Sequence, residues 1–537
     1  MTATEPPSLS TPTSPPRQGK LRTTLSVLAL ATALFLTAMD VTIVSTVVPT
    51  IASEFRSSLA YTWVGSAYLL ASAAFVPIWG KVSDIFGRRA IVQLAVGVFG
   101  IGSLLCGASG SVAMLIAGRA VQGVGAGGVL ALVYVCIGDM FSVRDRGVYF
   151  GALGIVWVVA SAMGPVLGGV FTNFVTWRWC FYINLPICGV GMVAIHCVLH
   201  LHNPRTPVRQ GLAAIDWVGS SAIISGTLLL LLGLEFGSAL FTWNTPTVVC
   251  LLVFGLTTLG MAGAYLRHFA RHPVIPLHLF GNRSNCGALA TAFIHGFVLI
   301  SASYWLPLYF QSVLGVDALQ SGVYLLPYSL SLSITSAIAG WAMKKTGHYL
   351  AIIIGAMAVT VLGFGLLVDL GSDGDLIKII AYQIVAGAGV GPNSQATLVA
   401  LQTTIEPRDM AAVTCTFAFT RQLATAISIS VGGAVFGVEM QRQQTDIAAV
   451  FGPGLADMLS GRNAATNAHW VASLSGEQGV AARGAYQLAL QRMRIVFAAV
   501  AGVGLVSSLF IRNMELSQNH GEHQTGLATL QSPRRED

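Results

Sequence analysis

Apolar residues along the chain gather in blocks of about twenty, separated by short polar loops. A helix rising 1.5 Å per residue needs about that many to cross the hydrocarbon of a bilayer. Fourteen blocks can be counted, at roughly 25–48, 62–80, 90–109, 112–138, 147–171, 180–200, 213–236, 246–266, 286–310, 320–343, 349–370, 376–401, 410–437 and 494–511. A twelve-span reading would fuse clear neighbours. The pattern predicts an all-α polytopic membrane protein with a Ser/Thr/Pro-rich, disordered tail over 1–24. A long hydrophilic segment over 438–492 and a tail over 512–537 complete it.

Composition strengthens this reading. Charged residues make up 9% of the 537, against roughly 25% in soluble domains, and mean hydropathy is +0.71. So little charge cannot cover a water-facing surface, so lipid must be the main solvent. The 59 glycines suit helices that approach one another closely in a membrane. The net charge of +7 is scattered through short loops, which argues against a nucleic-acid partner. Eight cysteines lie in or beside apolar runs with no CxxC pair, so neither a metal site nor a disulfide framework is expected. No cofactor is called for, and no cleavable leader is expected, because the first apolar block is long enough to span.

Lys and Arg in the short loops set the orientation. Placing the N-terminus in the cytoplasm puts Lys20, Arg22, Lys81, Arg88, Arg89, Arg144, Arg146, Arg205, Arg209, Arg267, Arg271, Arg283, Lys344, Lys345 and Arg408 inside. The opposite short loops hold Arg56, Arg178 and Lys378, and 438–492 is external. Both termini are then cytoplasmic, and the sequon Asn282-Arg283-Ser284 faces the side where it goes unused.

A repeat lies beneath the blocks. Gly80, Gly87 and the basic loop around them return as Gly340 and Gly347 at the same spacing. Gly123, Gly125 and Gly127 of the fourth span match Gly387, Gly389 and Gly391 of the twelfth, and Arg144-Asp145 matches Arg408-Asp409. Matches in order on equivalent elements point to two six-helix bundles, 25–200 and 286–511, in parallel duplication. The seventh and eighth spans, 213–266, have no counterpart and link the bundles.

Within this frame the wording resembles the major facilitator superfamily, in its fourteen-spanner branch of drug:proton antiporters, over about Leu25 to Arg512. The first span carries Met39-Asp40-Val-Thr-Ile-Val. The loop after span two carries Gly80, Asp84, Gly87, Arg88 and Arg89 in the superfamily's Gly-x-x-x-Asp-x-x-Gly-Arg-Arg pattern. Span four has Arg119-x-x-Gln122-Gly123, span five Gly164-Pro165-x-x-Gly168-Gly169, and span six Trp177-Arg178-Trp179 through Asn184-Leu-Pro186. Pro307 to Gln311, Ser321-Gly322, Leu326-Pro327 and Arg421 extend the likeness into the second half. It is most similar to fungal toxin and multidrug pumps. One departure is Ala160, where the span-five pattern usually has glycine; small-x-x-x-small survives.

Asp40 is the candidate proton carrier, since a carboxylate within a span is costly and functional by default. Counting residues from the cytoplasmic ends places it about 24 Å deep and Arg119 about 28 Å deep. Depth alone leaves open whether their faces meet, and a purely structural ion pair is the alternative. The resemblance implies that the span-four arginine takes part in coupling. The Gly80, Asp84, Gly87, Arg88, Arg89 loop reads as a gate that latches the two halves, or as a cluster that only fixes orientation. In its second copy Lys344 replaces the aspartate. Gly164, Pro165, Gly168 and Gly169 remove a backbone donor and two or more side chains, giving a bent, closely approachable helix. In the family this motif marks exporters. Gln122, Gln311 and Arg421 are candidate linings of a substrate cavity, Arg421 lying about 17 Å deep. His295 reads as a core histidine more readily than as a proton relay, and Glu235 and Asp216 as solvated interfacial groups.

The implied function is export of small amphipathic molecules by proton antiport. The expected protein is a monomer in the plasma membrane or, second, the vacuolar membrane. It is not an enzyme, because no HExxH, GxSxG or histidine cluster occurs, and no Gly-x-x-x-x-Gly-Lys-Ser/Thr loop supports an ATP-driven pump. A proton-coupled uptake symporter for a small solute such as a siderophore, and a non-transporting receptor on the same fold, remain open. The span-five motif and the effect of Asp40→Asn discriminate among them.

Overall fold

The computed structural model describes residues 20–270, 273–372, 374–459, 461, 464, 467–518 and 525–526; most of the N-terminal tail lies outside them. The described residues contain no strand. Fourteen long helices follow in order: α1 Lys20–Glu54, α2 Ser58–Phe86, α3 Arg88–Gly107, α4 Val112–Met140, α5 Val143–Phe174 and α6 Trp179–Val198 form the first half. α7 Trp217–Glu235 and α8 Pro246–His268 come next. α9 Arg283–Ser312, α10 Ala318–Thr346, α11 Leu350–Val368, α12 Leu376–Gln402, α13 Met410–Arg442 and α14 Gly476–Ser508 form the second. Several begin on side-chain caps that satisfy their first free N–H groups, including Ser111 for α4, Ser142 for α5, Asn282 for α9 and Asp317 for α10.

Thirteen of these are long and apolar enough to cross a membrane on length and composition. The fourteenth, α12, has the length at 27 residues but carries Gln383, Asn393, Ser394, Gln395, Thr397 and Gln402, all buried. Its polar groups face protein instead of lipid, so its mean hydropathy understates its place in the bundle.

Two differences from the block pattern follow from what hydropathy measures. α1 starts at Lys20, four residues before the end of the tail expected to be disordered, and α14 starts at Gly476, eighteen residues before its apolar block. Both helices continue beyond the hydrocarbon, where polar residues are helical without being apolar. The segment between α13 and α14 contains short helices at Gln444–Phe451, Pro453–Met458 and Ala468–Ser473.

The glycine repeat is a packing repeat. A Cβ at Gly123 or Gly127 would strike the backbone carbonyls of Tyr68 or Ser72 in α2, and one at Gly125 the backbone of Phe99 in α3. Gly387, Gly389 and Gly391 meet Tyr328, Thr360 and Leu332 of α10 and α11 in the same way. The α7–α8 pair packs on itself through Gly226 and Gly255, and Leu231 of α7 joins Leu70 and Ala73 of α2 with Leu423 and Ala426 of α13. It therefore sits at a border between the halves.

The halves meet along two seams at the end that carries the Arg88, Arg144 and Lys344 loops, here called the basic end. In one, Gly80 of α2 lies against Ala411 and Cys415 of α13; in the other, Gly147 and Gly151 of α5 lie against Gly340 and Ala337 of α10. Arg146 adds a hydrogen bond to Gln402 Oε1 at 3.0 Å. The chain after α14 crosses this end as well. Tyr349 Oη donates to Arg512 O at 2.8 Å, Leu516 N to Gly347 O at 2.9 Å, and Arg144 N to Ser517 O at 3.3 Å. Gly526 N donates to Asp84 O at 2.9 Å.

Candidate functional site

Asp40 is fully buried in α1, and the site assembles around it from four other helices. Arg119 Nη1 of α4 reaches Asp40 Oδ2 at 2.6 Å, while its Nε donates to Val64 O of α2 at 2.8 Å. Gln122, one turn further along α4, donates from Nε2 to Asp40 Oδ1 at 2.7 Å and to Ser103 Oγ of α3 at 2.7 Å, and accepts from Arg119 Nη1 at 2.5 Å. Asn184 Nδ2 of α6 donates to the same Asp40 Oδ1 at 3.0 Å and to Ser103 Oγ at 3.3 Å. The guanidinium carbon of Arg119 sits 4.3 Å from the centre of the Tyr68 ring. Both carboxylate oxygens are thus held by donors, in a place where a bare anion would be prohibitively costly.

Asp40 and Arg119 therefore meet, which depth could not decide. Gln122 lies inside their network with no exposed surface instead of on a cavity wall. Asn184 and Ser103 enter the site only through the fold. Asn184 lies in the stretch from Trp177 to Pro186, but nothing in its sequence position names Asp40 as its partner.

The span-five motif touches this site from the side. Gly164 and Gly168 leave room for Thr42 and Thr46 of α1, half a turn and more beyond Asp40; a Cβ at Gly164 would stand 2.7 Å from Thr42 Cβ. Thr42 Oγ1 donates to Ala160 O at 3.3 Å, so the alanine found where glycine is usual still lies at the α1–α5 contact. Pro165 is exposed and Gly169 has open space beside it.

In the basic loop, Gly87 takes φ +91° between α2 and α3, a conformation that favours glycine. Arg88, with no exposed surface, pairs with Asp84 Oδ1 at 2.7 Å and with Asp139 Oδ2 of α4 at 2.6 Å. Its Nη1 also donates to Ser83 Oγ at 2.7 Å. Asp139 is a member that reading the sequence missed, since a carboxylate at the end of a span looks interfacial. Arg89 is half-buried on the first turn of α3. The contact across to the second half at this loop is made by Gly80, whose Cβ would stand 2.7 Å from Cys415 Sγ.

The second half carries its polar groups apart from this network. Arg421 of α13 is half-buried, donates from Nη1 to Ser394 O at 3.3 Å and stacks 5.7 Å from the Phe417 ring. His295 of α9 is buried with Nε2 at 3.1 Å from Val390 O and 3.3 Å from Ser394 Oγ. Gln311, near the far end of α9, donates to Ser321 Oγ at 3.4 Å. Glu235 accepts from Ser66 Oγ of α2 at 2.6 Å, and Asp216 caps α7. Ser284 of the sequon is buried, and Asn282 is engaged as the cap of α9. No group of His, Cys, Asp and Glu able to hold a metal occurs among the described residues.

The family profile described as Major Facilitator Superfamily matches residues 30–429. Efflux pump dotC of Dothistroma septosporum is 48% identical over 501 residues, covering 93% of this chain and 86% of that protein. The MFS-type transporter ppz2 of Metarhizium majus is 43% identical over 520 residues, covering 97% and 90%. Efflux pump FUS6 of Gibberella moniliformis is 33% identical over 497 residues, covering 92% and 88%. Among solved structures, the human organic anion transporter MFSD10 aligns with TM-score 0.59 at 15% identity, covering 92% of this chain and all of that one. The proton:xylose symporter XylE aligns with TM-score 0.58 at 14% identity, covering 93% and 98%. At those identities the structures speak for the fold alone.

Proposed function

Because the chain belongs to the major facilitator superfamily, we propose that it is an exporter of small amphipathic molecules, driven by proton antiport through Asp40. The observation that carries this reading is the Asp40–Arg119 pair at 2.6 Å, sealed from solvent and completed by Gln122 and Asn184. A proton arriving at Asp40 cancels the ion pair. Arg119 then keeps Val64 O and Gln122 Oε1 as partners, and α1 loses its charged hold on α4.

The consequence travels along α5. Near one end α5 packs through Gly164 and Gly168 onto α1 beside Asp40; near the other it forms a seam with α10 through Gly147 and Gly151. A shift of α1 is passed by one continuous helix to the closure at the basic end, giving alternating access with α5 as the connector. The Arg88 cluster binds α2, α3 and α4 together beside the other seam, so that these three helices move as a unit. The direction of transport rests on the span-five motif and on relatives named efflux pumps. In this reading the basic end is cytoplasmic, the protein is a monomer in the plasma membrane, and the substrate is a toxin, secondary metabolite or drug. Gln311 and Arg421 contact it from the second half.

The test is efflux of a fluorescent lipophilic cation from proteoliposomes, with and without acid on the receiving side. Export should quicken with the gradient and lose that dependence in Asp40→Asn. Equal rates with and without the gradient would reject proton coupling.

A further inference from the structure

The α5–α10 seam opens outward into a groove of about 460 Å³, lined by Arg144, Val148, Trp341, Lys344 and Lys345. Three of its five lining residues are cations and none is an anion. We infer that this groove holds the headgroup of an anionic phospholipid, clamped between the two halves.

The charges are arranged for a ligand and not merely gathered. Arg144 is fixed in place, its Nε donating to Lys344 O at 2.8 Å and its Nη2 to Lys345 O at 3.2 Å. Lys344 Nζ leans 3.0 Å from Asp145 Oδ1. Lys345 lines the groove as well, its ammonium lying 5.0 Å over the exposed ring of Trp341. The groove therefore carries a net positive charge even with Asp145 counted. Phosphate esters are the anions that such a fork of guanidinium and ammonium groups recognises.

A lipid, as opposed to a free phosphate, is favoured by what lies next to the groove. Ile334, Ile338 and Trp341 stand one and two turns apart on one face of α10 and are each more than half exposed. On α5, Ile155 and Val159 are exposed as well. Large apolar side chains exposed along spanning helices face acyl chains. Tryptophan with lysine at the end of such a stripe marks the level of the headgroups. A lipid seated here would rest its chains on these faces and its phosphate among Arg144, Lys344 and Lys345. Since Arg144 belongs to one half and the lysines to the other, it would hold this seam shut.

Full-length protein in detergent, titrated with short-chain phosphatidylserine, tests this by thermal unfolding. Phosphatidylserine should raise the unfolding temperature by several degrees, while phosphatidylcholine with the same chains and inorganic phosphate should not. Lys345→Glu, a change at an exposed side chain, should remove the shift without altering the lipid-free unfolding temperature, and Lys345→Arg should retain it. Lipid retained in native mass spectra should fall in Lys345→Glu alike, which serves even if unfolding proves irreversible. An equal shift with phosphatidylcholine, or a full shift in Lys345→Glu, would overturn the site. A full shift with inorganic phosphate would overturn the lipid.

Discussion

α4 and α12 are packed by the same means. Gly123, Gly125 and Gly127 admit Tyr68, Phe99 and Ser72, as Gly387, Gly389 and Gly391 admit Tyr328, Thr360 and Leu332. Even the flanking contact is repeated, with Gly102 pressed on Gln122 and Gly363 on Ala386. Yet four residues before the first glycine of each triplet stand Arg119, bound to Asp40, and Gln383, whose Nε2 turns back to Ile379 O of its own helix. The scaffold is alike in both halves, while at this repeat position the buried charge of Arg119 stands in one and the neutral Gln383 in the other. Glycine packing is therefore the architecture, and the Asp40 network is a specialisation laid upon it.

The hardest test of that contrast removes the polar group from each half. Asp40→Ala leaves Arg119 buried without its carboxylate and should cost about 3–5 kcal/mol, together with loss of gradient-driven efflux. Gln383→Leu removes an amide whose Oε1 is buried without a partner. It should be neutral or stabilising within about 1 kcal/mol, since an unsatisfied buried acceptor is itself a cost. Unfolding midpoints in detergent measure both; equal losses would mean that the charge is ordinary structure.

The basic loops offer the next comparison. Arg88→Ala removes the guanidinium that Asp84 and Asp139, both buried, share, and should cost about 3 kcal/mol. His348→Ala at the repeat position, exposed, should stay within about 0.5 kcal/mol. A third pair probes the scaffold itself. Gly102→Ala and Gly363→Ala each drive a methyl into a neighbouring helix backbone and should destabilise alike, by about 1–3 kcal/mol. They should differ in transport. Gly102→Ala displaces Gln122 and blunts the response of efflux to the pH gradient, while Gly363→Ala leaves the ratio of driven to undriven flux intact.

How much of this could be read beforehand follows the same division. Hydropathy and glycine spacing are local, and they point to the helices and to the repeated packing, while the superfamily is legible only in the wording of motifs such as Gly80 to Arg89 and Gly164 to Gly169. The depth of Asp40 and Arg119 is a matter of counting along a helix, and they do lie at one level. Azimuth is not countable when spans are apolar all round, so their contact had to be seen. Asn184 and Asp139 are farther from reach. Each matters through a partner distant in sequence, 144 residues for Asn184 with Asp40 and 51 for Asp139 with Arg88. The early start of α14 escaped because apolar blocks report lipid contact and say nothing of helix beyond it.

A small, salt-sensitive effect is expected at the position where the two loops differ most, Asp84 in one and Lys344 in the other. Asp84 is buried against Arg88 within its own half, while Lys344 reaches across the seam to Asp145 at 3.0 Å, with both side chains about half exposed. Lys344→Gln should therefore cost less than about 1 kcal/mol, because a solvated ion pair is screened and holds long side chains at an entropic cost. Its effect should also shrink with added salt, whereas that of Arg88→Ala should not, since buried charges are poorly screened. Measuring both variants at low and high salt separates an internal clamp from a surface tie. If Lys344→Gln proved as costly as Arg88→Ala at either salt, the seam would be held by charge and not by the meeting of Gly147 with Gly340.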